Sequence, residues 1–406
     1  MNPLSWTTML LAVVVAGPAS ADGIPLWTNV RTAIPDADWR HLAARYSLAF
    51  TLFSPRAGGK DLSAENERVK WIKSLNPRLK VLVYGSAINA ANFRLPAWRR
   101  PQEHPEWFLK DEAGEWVADW EYGGALHLDP ASKGWQQYVA NALKDYIDRY
   151  GYDGVFLDLV TATTHYVNFK KPKRTVNANG AVYTDSGWKD ANLELLRTVR
   201  SAIGGKLLII NGCRRGTGYF QDGYGDFLDV ADGMSNEGFT GWAQKPPGFG
   251  SEADWKADVE ALADCAKRGK AVLAVANVKK RESTEPAEQH EALYRYITAS
   301  FLLGMGQRHY LMFYAKVPGQ PEDYRPGEEV LPALCNVLPG KPTGAYYQAD
   351  GVYQRDFEQG KVLVNPTGRA ATIALEGAWQ TDKGEPVRSP LQVTEHSGVI
   401  LLRDTR

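Results

Sequence analysis

Two short strings in this 406-residue chain put a carboxyl group at the end of an apolar run. In GYDGVFLDLV (151–160), Val155, Phe156 and Leu157 read as a β-strand that Asp158 interrupts at its C-terminal end. A carboxylate in that position costs desolvation free energy unless it is paired or hydrogen-bonded. In DGMSNEGF (232–239), Glu237 follows a second apolar stretch and stands directly after Asn236. The amide can bind a substrate hydroxyl while the neighbouring carboxyl moves protons. Two carboxyls converging on one site suit cleavage of a glycosidic bond. One protonates the leaving oxygen, and the other attacks the anomeric carbon or activates water. The expected roles are Asp158 as nucleophile or stabilising carboxylate and Glu237 as general acid/base. The structural alternatives are a helix-capping Asp158 and a Glu237 held in a loop salt bridge.

Polar residues close several other apolar runs. Tyr84 ends VLVY, Asn211 ends LLIIN, Asn277 ends AVLAVAN and Tyr314 ends YLMFY, with Ser86 and Asn89 just beyond VLVYG. Tyr84, Asn211, Asn236, Asn277 and Tyr314 are expected to bind substrate, although Asn at a strand end is also a common turn residue. Other acids compete for a catalytic role: Glu121, Asp129 in HLDP, and the pair Asp226 and Asp229. The last two flank Phe227 and Leu228 ahead of an apolar stretch, which points to the far face or a helix cap. Arg214 and Arg215 follow Asn211, where they could meet an anionic sugar or form salt bridges.

These residues need elements to hold them. Apolar runs recur at 26–30, 48–53, 80–84, 155–160, 207–211, 233–236, 271–278 and 310–314. Continuous runs of this length suit buried parallel strands. Between them, 135–150, 188–203 and 253–268 carry apolar residues at helical spacing. Eight strand–helix repeats in roughly 250 to 400 residues is the arithmetic of a (β/α)8 TIM barrel, with an open doubly wound sheet as the alternative α/β architecture. Two connections are much longer than the others, 85–128 and 161–186. Both follow strands, so in a barrel both lie on the C-terminal face. The first contains Trp98, Trp107, Trp116, Trp120 and Tyr122, rings expected to stack on sugar faces; Trp107, Trp116 and Trp120 are the candidates for such contacts. Beyond 338 the pattern changes to short alternating stretches at 352–357, 361–364, 372–375 and 398–402, separated by turn residues. The expected organisation is a leader at 1–21, a catalytic barrel at 22–338 and a C-terminal all-β module at 339–406.

GYDGVFLDLV, the HLDP string with the helix that follows it, SNEGF and the closing GVYQRDFEQGKVLVNP resemble bacterial barrel-type glycoside hydrolases, in particular the hypothetical glycosyl hydrolase family 15 group. More distantly the chain is similar to endo-α-1,4-polygalactosaminidase-like barrels, whose fourth strand also ends in a G-[FY]-D-G-[VI]-F-L-D string. The resemblance runs from about residue 26 to the C-terminus. It implies a barrel with a C-terminal β domain and an acidic sugar-cleaving site. In that frame Asp158 matches the fourth-strand acid and Glu237 stands at the place of a sixth-strand partner. Leu159 occupies a position that often carries Asn or Thr in the polygalactosaminidase-like group, a departure that bears on substrate.

Composition narrows the alternatives. Lys+Arg and Asp+Glu are 47 each, so the chain lacks the basic field of a dedicated nucleic-acid binder. The chemistry needs no metal or organic cofactor, and the His residues show no H-x-x-x-H or H-E-x-x-H spacing. That spacing argues against a metal-dependent polysaccharide deacetylase. A non-catalytic glycan-binding barrel is the rival that keeps the aromatic loop without a working acid pair. The three cysteines, Cys213, Cys265 and Cys335, are too few for a disulfide framework and read as buried thiols, with a single bridge between two of them as the alternative. The apolar start, with Ala19-Ser20-Ala21 as a cleavage site, reads as a signal peptide removed after Ala21. A secreted or periplasmic protein with a carbohydrate substrate and no membrane-inserted segment in its mature chain is therefore expected.

Overall fold

The computed structural model describes residues 23–30, 34–51, 66–89, 103–120, 126–240, 249–278, 287–314 and 333–404. The proposed leader, Trp98, Glu121 and Tyr122 lie outside the described residues. Eight parallel strands form one sheet: β1 (Trp27–Val30), β2 (Leu48–Thr51), β3 (Lys80–Ser86), β4 (Gly154–Asp158), β5 (Leu207–Cys213), β6 (Gly233–Asn236), β7 (Ala271–Asn277) and β8 (His309–Tyr314), each paired with the next. Leu26 bridges in parallel to Leu311, and the Leu311 N–H donates to the Pro25 carbonyl at 2.9 Å. The last strand thus returns to the first, and the fold is the (β/α)8 barrel rather than an open sheet.

The strands fall on the apolar runs because both faces are buried. Inside the barrel Trp27, Leu48, Leu82, Phe156, Ile209, Leu273, Val275 and Met312 form one cluster, tied across by Trp27 Nε1 donating to the Ala274 carbonyl at 3.0 Å. Val81, Val83, Val155, Leu157, Leu208 and Ile210 alternate with these and pack outward under the helices. Those helices are α1 (Asp36–Arg45), α2 (Val69–Leu75), α3 (Lys133–Tyr150), α4 (Asp185–Ile203), α5 (Gly216–Gln221), α6 (Glu252–Lys267) and α7 (Ala287–Gly304). In α3, Trp135, Val139, Leu143 and Ile147 form one buried face. The Thr184 and Ser251 hydroxyls cap α4 and α6 by accepting from Gly187 N–H and Asp254 N–H.

A period of two along each strand then dictates what reaches the mouth. Leu82, Phe156 and Ile209 point inward, so Tyr84, Asp158 and Asn211, two residues on, point inward at the C-terminal end. The strand carrying Asp158 sits very close to its neighbour. A Cβ on Gly154 would lie 2.1 Å from the Leu207 carbonyl oxygen, so only glycine fits there.

Beyond the barrel lies a six-stranded sheet, β9 (Tyr347–Ala349), β10 (Val352–Phe357), β11 (Gly360–Asn365), β16 (Ser397–Arg403), β13 (Trp379–Thr381) and β14 (Pro386–Val387), in that spatial order. A separate pair, β12 (Ala371–Ile373) and β15 (Leu391–Val393), covers one face with Val352, Leu363, Trp379 and Leu401 between. The other face meets α7. Arg355 ends that helix by donating from Nη1 to the carbonyls of Leu302, Leu303 and Met305, each at 2.9 Å. All three cysteines are buried and unbridged, and among the described residues no helix is long and apolar enough to cross a membrane.

Gly154→Ala should force β4 away from β5. We expect a loss of about 1–3 kcal/mol, read as a lowered thermal midpoint. A midpoint equal to that of the parent would contradict the packing described.

Candidate active site

Asp158 and Asn211 reach the barrel mouth by strand register, and local backbone features set their final positions. After Asp158 the chain turns at Leu159, a non-glycine residue with φ of 57°. Such a conformation costs on the order of 1–3 kcal/mol and persists where the surroundings impose it. Here the Leu159 N–H donates to Asp158 Oδ1 at 2.8 Å, so the side chain holds the turn that ends its own strand. On β5 the register to β6 shifts between Ile210 and Cys213, forming a bulge past Asn211. Gly212 makes the bulge possible: its φ is 154°, and a Cβ would lie 2.1 Å from the Val160 carbonyl oxygen.

The result is a convergence of four side chains. Asp158 Oδ1 also accepts from Asn211 Nδ2 at 2.8 Å, and Oδ2 accepts from the Tyr84 hydroxyl at 2.5 Å. The same Asn211 nitrogen donates to Glu237 Oε1 at 2.8 Å. One planar amide with two N–H groups therefore spans the two carboxyls, with one oxygen of each 2.8 Å from the same nitrogen. Asp158 and Glu237 are half-buried, while Asn211 is buried. Tyr224, to which no sequence pattern pointed, is wholly buried close by. Burial holds its phenol well above the ordinary value, and the nearby Cys213, Asp158 and Glu237 push it the same way.

A family model for hypothetical glycosyl hydrolase family 15 matches residues 73–361. The chain belongs to this family. Its fold is shared with solved structures at low identity. Amy13B of Eubacterium rectale superposes with a TM-score of 0.57 at 11% identity, covering 95% of this chain and 96% of that one. The α-amylase of Geobacillus thermoleovorans, complexed with acarbose, gives 0.55 at 11% identity, covering 94% and 99%. The maltogenic α-amylase AmyB of Thermotoga neapolitana gives 0.54 at 14%, covering 93% and 98%. No curated protein sequence matches the chain significantly.

Within this family member the other expected site residues fall into two groups. Tyr314 is half-buried among the barrel-interior side chains, and Asn277 closes β7 opposite it in register; the Asn277 side chain lies outside the described part. Trp116 and Trp120 are 39% and 37% exposed on the long loop after β3. Trp107 differs: its ring stacks on His104 with centroids 3.9 Å apart and packs on Trp135 and Tyr138 of α3. It fastens the loop to α3.

Asn236 does not join the cluster. It is wholly buried, its Oδ1 accepts from Gly238 N–H, and its amide faces Asp258. The reason is alternation, because Met234 on the same strand packs outward and Asn236 follows it two residues on. Asp129 is structural as well. It accepts from the Ala131 N–H and the Tyr183 hydroxyl, and burial raises its pKa. Asp226 and Asp229 pair with Lys189 and Arg268 away from the mouth. Ser86 and Asn89 brace the first long loop: Ser86 Oγ accepts from Asn89 N–H, and Asn89 Nδ2 donates to the buried Asp119. No group of three or more His, Cys, Asp or Glu among the described residues is arranged to hold a metal.

Asp258 on α6 stands behind Glu237. It accepts from Gly216 N–H at 2.6 Å and Thr240 N–H at 3.0 Å, joining the segments that follow β5 and β6. Desolvation raises its pKa from the ordinary 3.8 to about 7, against the lowering effect of those bonds and of Arg215. The folded state therefore keeps a proton that the unfolded chain releases between these values. The associated stability is fully present below about pH 4 and is lost as pH rises through about 7. In Asp258→Asn, the decline of unfolding free energy between pH 4 and 7 should be shallower than in the parent. Parallel profiles would contradict this assignment.

Proposed function

We propose that this protein is an exported glycoside hydrolase that cleaves an oligo- or polysaccharide with retention of configuration, with Asp158 as nucleophile and Glu237 as general acid/base. The observation that carries the reading is the Asn211 amide shared by both carboxyls. Carboxyls held close on one donor suit direct attack on the anomeric carbon, which works at about 5–5.5 Å, whereas inversion needs roughly 6.5–9.5 Å to admit a water. A barrel that only binds glycan has no use for two carboxyls held on one nitrogen.

The donors around each carboxyl support the roles. Asp158 accepts from Tyr84, Leu159 and Asn211, a donor set suited to an ionised carboxylate facing the positive charge that develops at the anomeric centre. Glu237 follows the end of β6 and takes the opposite side of the amide, positioned to protonate the departing oxygen and then to activate water. The exposed Trp116 and Trp120 rings on the same face of the barrel would support sugar rings at neighbouring subsites. Export rests on the leader-like N-terminus.

Both substitutions nearly preserve shape, so the variants should fold. On a glycan found by reducing-end release, Asp158→Asn should lose about a thousandfold or more in turnover. Glu237→Gln should lose about 10²–10⁴-fold. The Glu237→Gln loss should shrink on an aryl glycoside whose leaving group needs no proton. Near-parent turnover in either variant, with parent-like melting, removes that residue from the mechanism.

A further inference from the structure

The loop that leaves Asp158 has an unusual charge. Residues 159–184 contain Lys170, Lys171, Lys173 and Arg174 and no Asp or Glu. In a chain of zero net charge, this places four cations in the segment that starts at the nucleophile. It stays beside the mouth, since Thr175–Val176 pairs antiparallel with Lys110–Asp111 of the aromatic loop.

Few of these cations are neutralised. Arg174 pairs with Glu112, while Lys170, Lys171 and Lys173 have no acidic partner among the described residues. Arg214, three residues past Asn211 and exposed, has none there either, whereas Arg215 lies 3.8 Å from Asp254. Among the described residues, two acids near the loop already hold hydrogen-bond donors, and Asp222 lies near His165 of the loop. Asp119 is buried and accepts from Asn89 and Tyr166, and Asp185 accepts from Thr164.

Two of these cations lie against aromatic rings. Lys170 Nζ lies 5.5 Å from the Trp120 ring and 5.3 Å from that of Phe169. Trp120 lies 6.1 Å from Tyr166, and the Arg214 guanidinium lies 5.9 Å from that same ring. Lys170, Trp120, Tyr166 and Arg214 thus form a row with a cation at each end, in which Trp120 is the exposed ring and the buried Tyr166 ring links it to Arg214. A ring takes the apolar face of a sugar, and a cation beside it takes an acidic substituent.

Resting on the hydrolase reading above, we infer that the substrate is an anionic glycan, one whose sugars carry carboxylate or sulfate groups, and that Lys170 and Arg214 select it. A cationic amino-sugar polymer would be repelled by the same row.

Affinity electrophoresis of the full chain at low salt tests the inference, in gels containing polygalacturonate, dextran sulfate, neutral galactomannan or cationic chitosan. At least one anionic polymer should retard the protein at a tenfold or more lower concentration than galactomannan, and chitosan should not retard it. The two anionic gels distinguish carboxylate from sulfate. Lys170→Glu with Arg214→Glu should abolish the preference, and Lys170→Gln with Arg214→Gln should weaken it. Lys144→Glu on α3, a charge reversal away from the mouth, should leave it intact. Equal or stronger retardation by galactomannan or chitosan, no retardation by either anionic polymer, or an equal loss in Lys144→Glu overturns the inference. Hydrolysis confined to neutral glycans would sink it and leave the hydrolase standing. Retardation that depends on Lys170 and Arg214, without turnover on any glycan, would sink the hydrolase alone.

Discussion

Two carboxyl groups that share one amide donor repel when both are ionised, by on the order of 3 kcal/mol for charges ~5 Å apart at an effective dielectric near 20. The structure around Asp158 and Glu237 is organised against that repulsion. One amide, Asn211, donates to both at 2.8 Å, and the Tyr84 hydroxyl and Leu159 N–H add donors to Asp158. The spacing of the pair is therefore set by the width of a single NH₂ group.

That arrangement depends on the barrel in a traceable way. Asn211 faces inward because Ile209 does, and Asp158 because Phe156 does. Gly154 lets β4 lie against β5, so the two side chains meet, and Gly212 permits the bulge past Asn211. Glu237 is carried by a segment with a separate anchor. Asp258, on α6, accepts from backbone groups after both β5 and β6, which couples the segments bearing Asn211 and Glu237. Strain at Leu159 is the local cost of ending β4 abruptly at its functional residue.

Much of this is legible in the sequence, and the limits have physical causes. All eight barrel strands fall on apolar runs, because strands buried on both faces leave continuous hydrophobic signatures. Asp158 stands out because an acid in such a run is costly, and Tyr84 and Asn211 because they end runs. Asn236 is misplaced when its adjacency to Glu237 is weighed above alternation, although the outward Met234 two residues earlier predicts its direction. Trp107 shows that an aromatic-rich loop needs rings for its own attachment, here against His104 and α3. The short strands β9, β13, β14 and β15 have two or three residues each, too few for a period to register. Tyr224 has no sequence signal at all, since it comes from a turn between α5 and β6 and is brought beneath the site by tertiary packing alone.

The central claim is the close spacing that the shared amide imposes, and the stereochemistry of the reaction reports on it directly. Proton NMR of the first-formed product, recorded before mutarotation, resolves its anomeric configuration. Our account requires the product to emerge with the configuration of the bond that was cleaved. A product of opposite configuration would mean that water attacks in a single displacement, and that Asp158 does not act as a nucleophile across the shared amide.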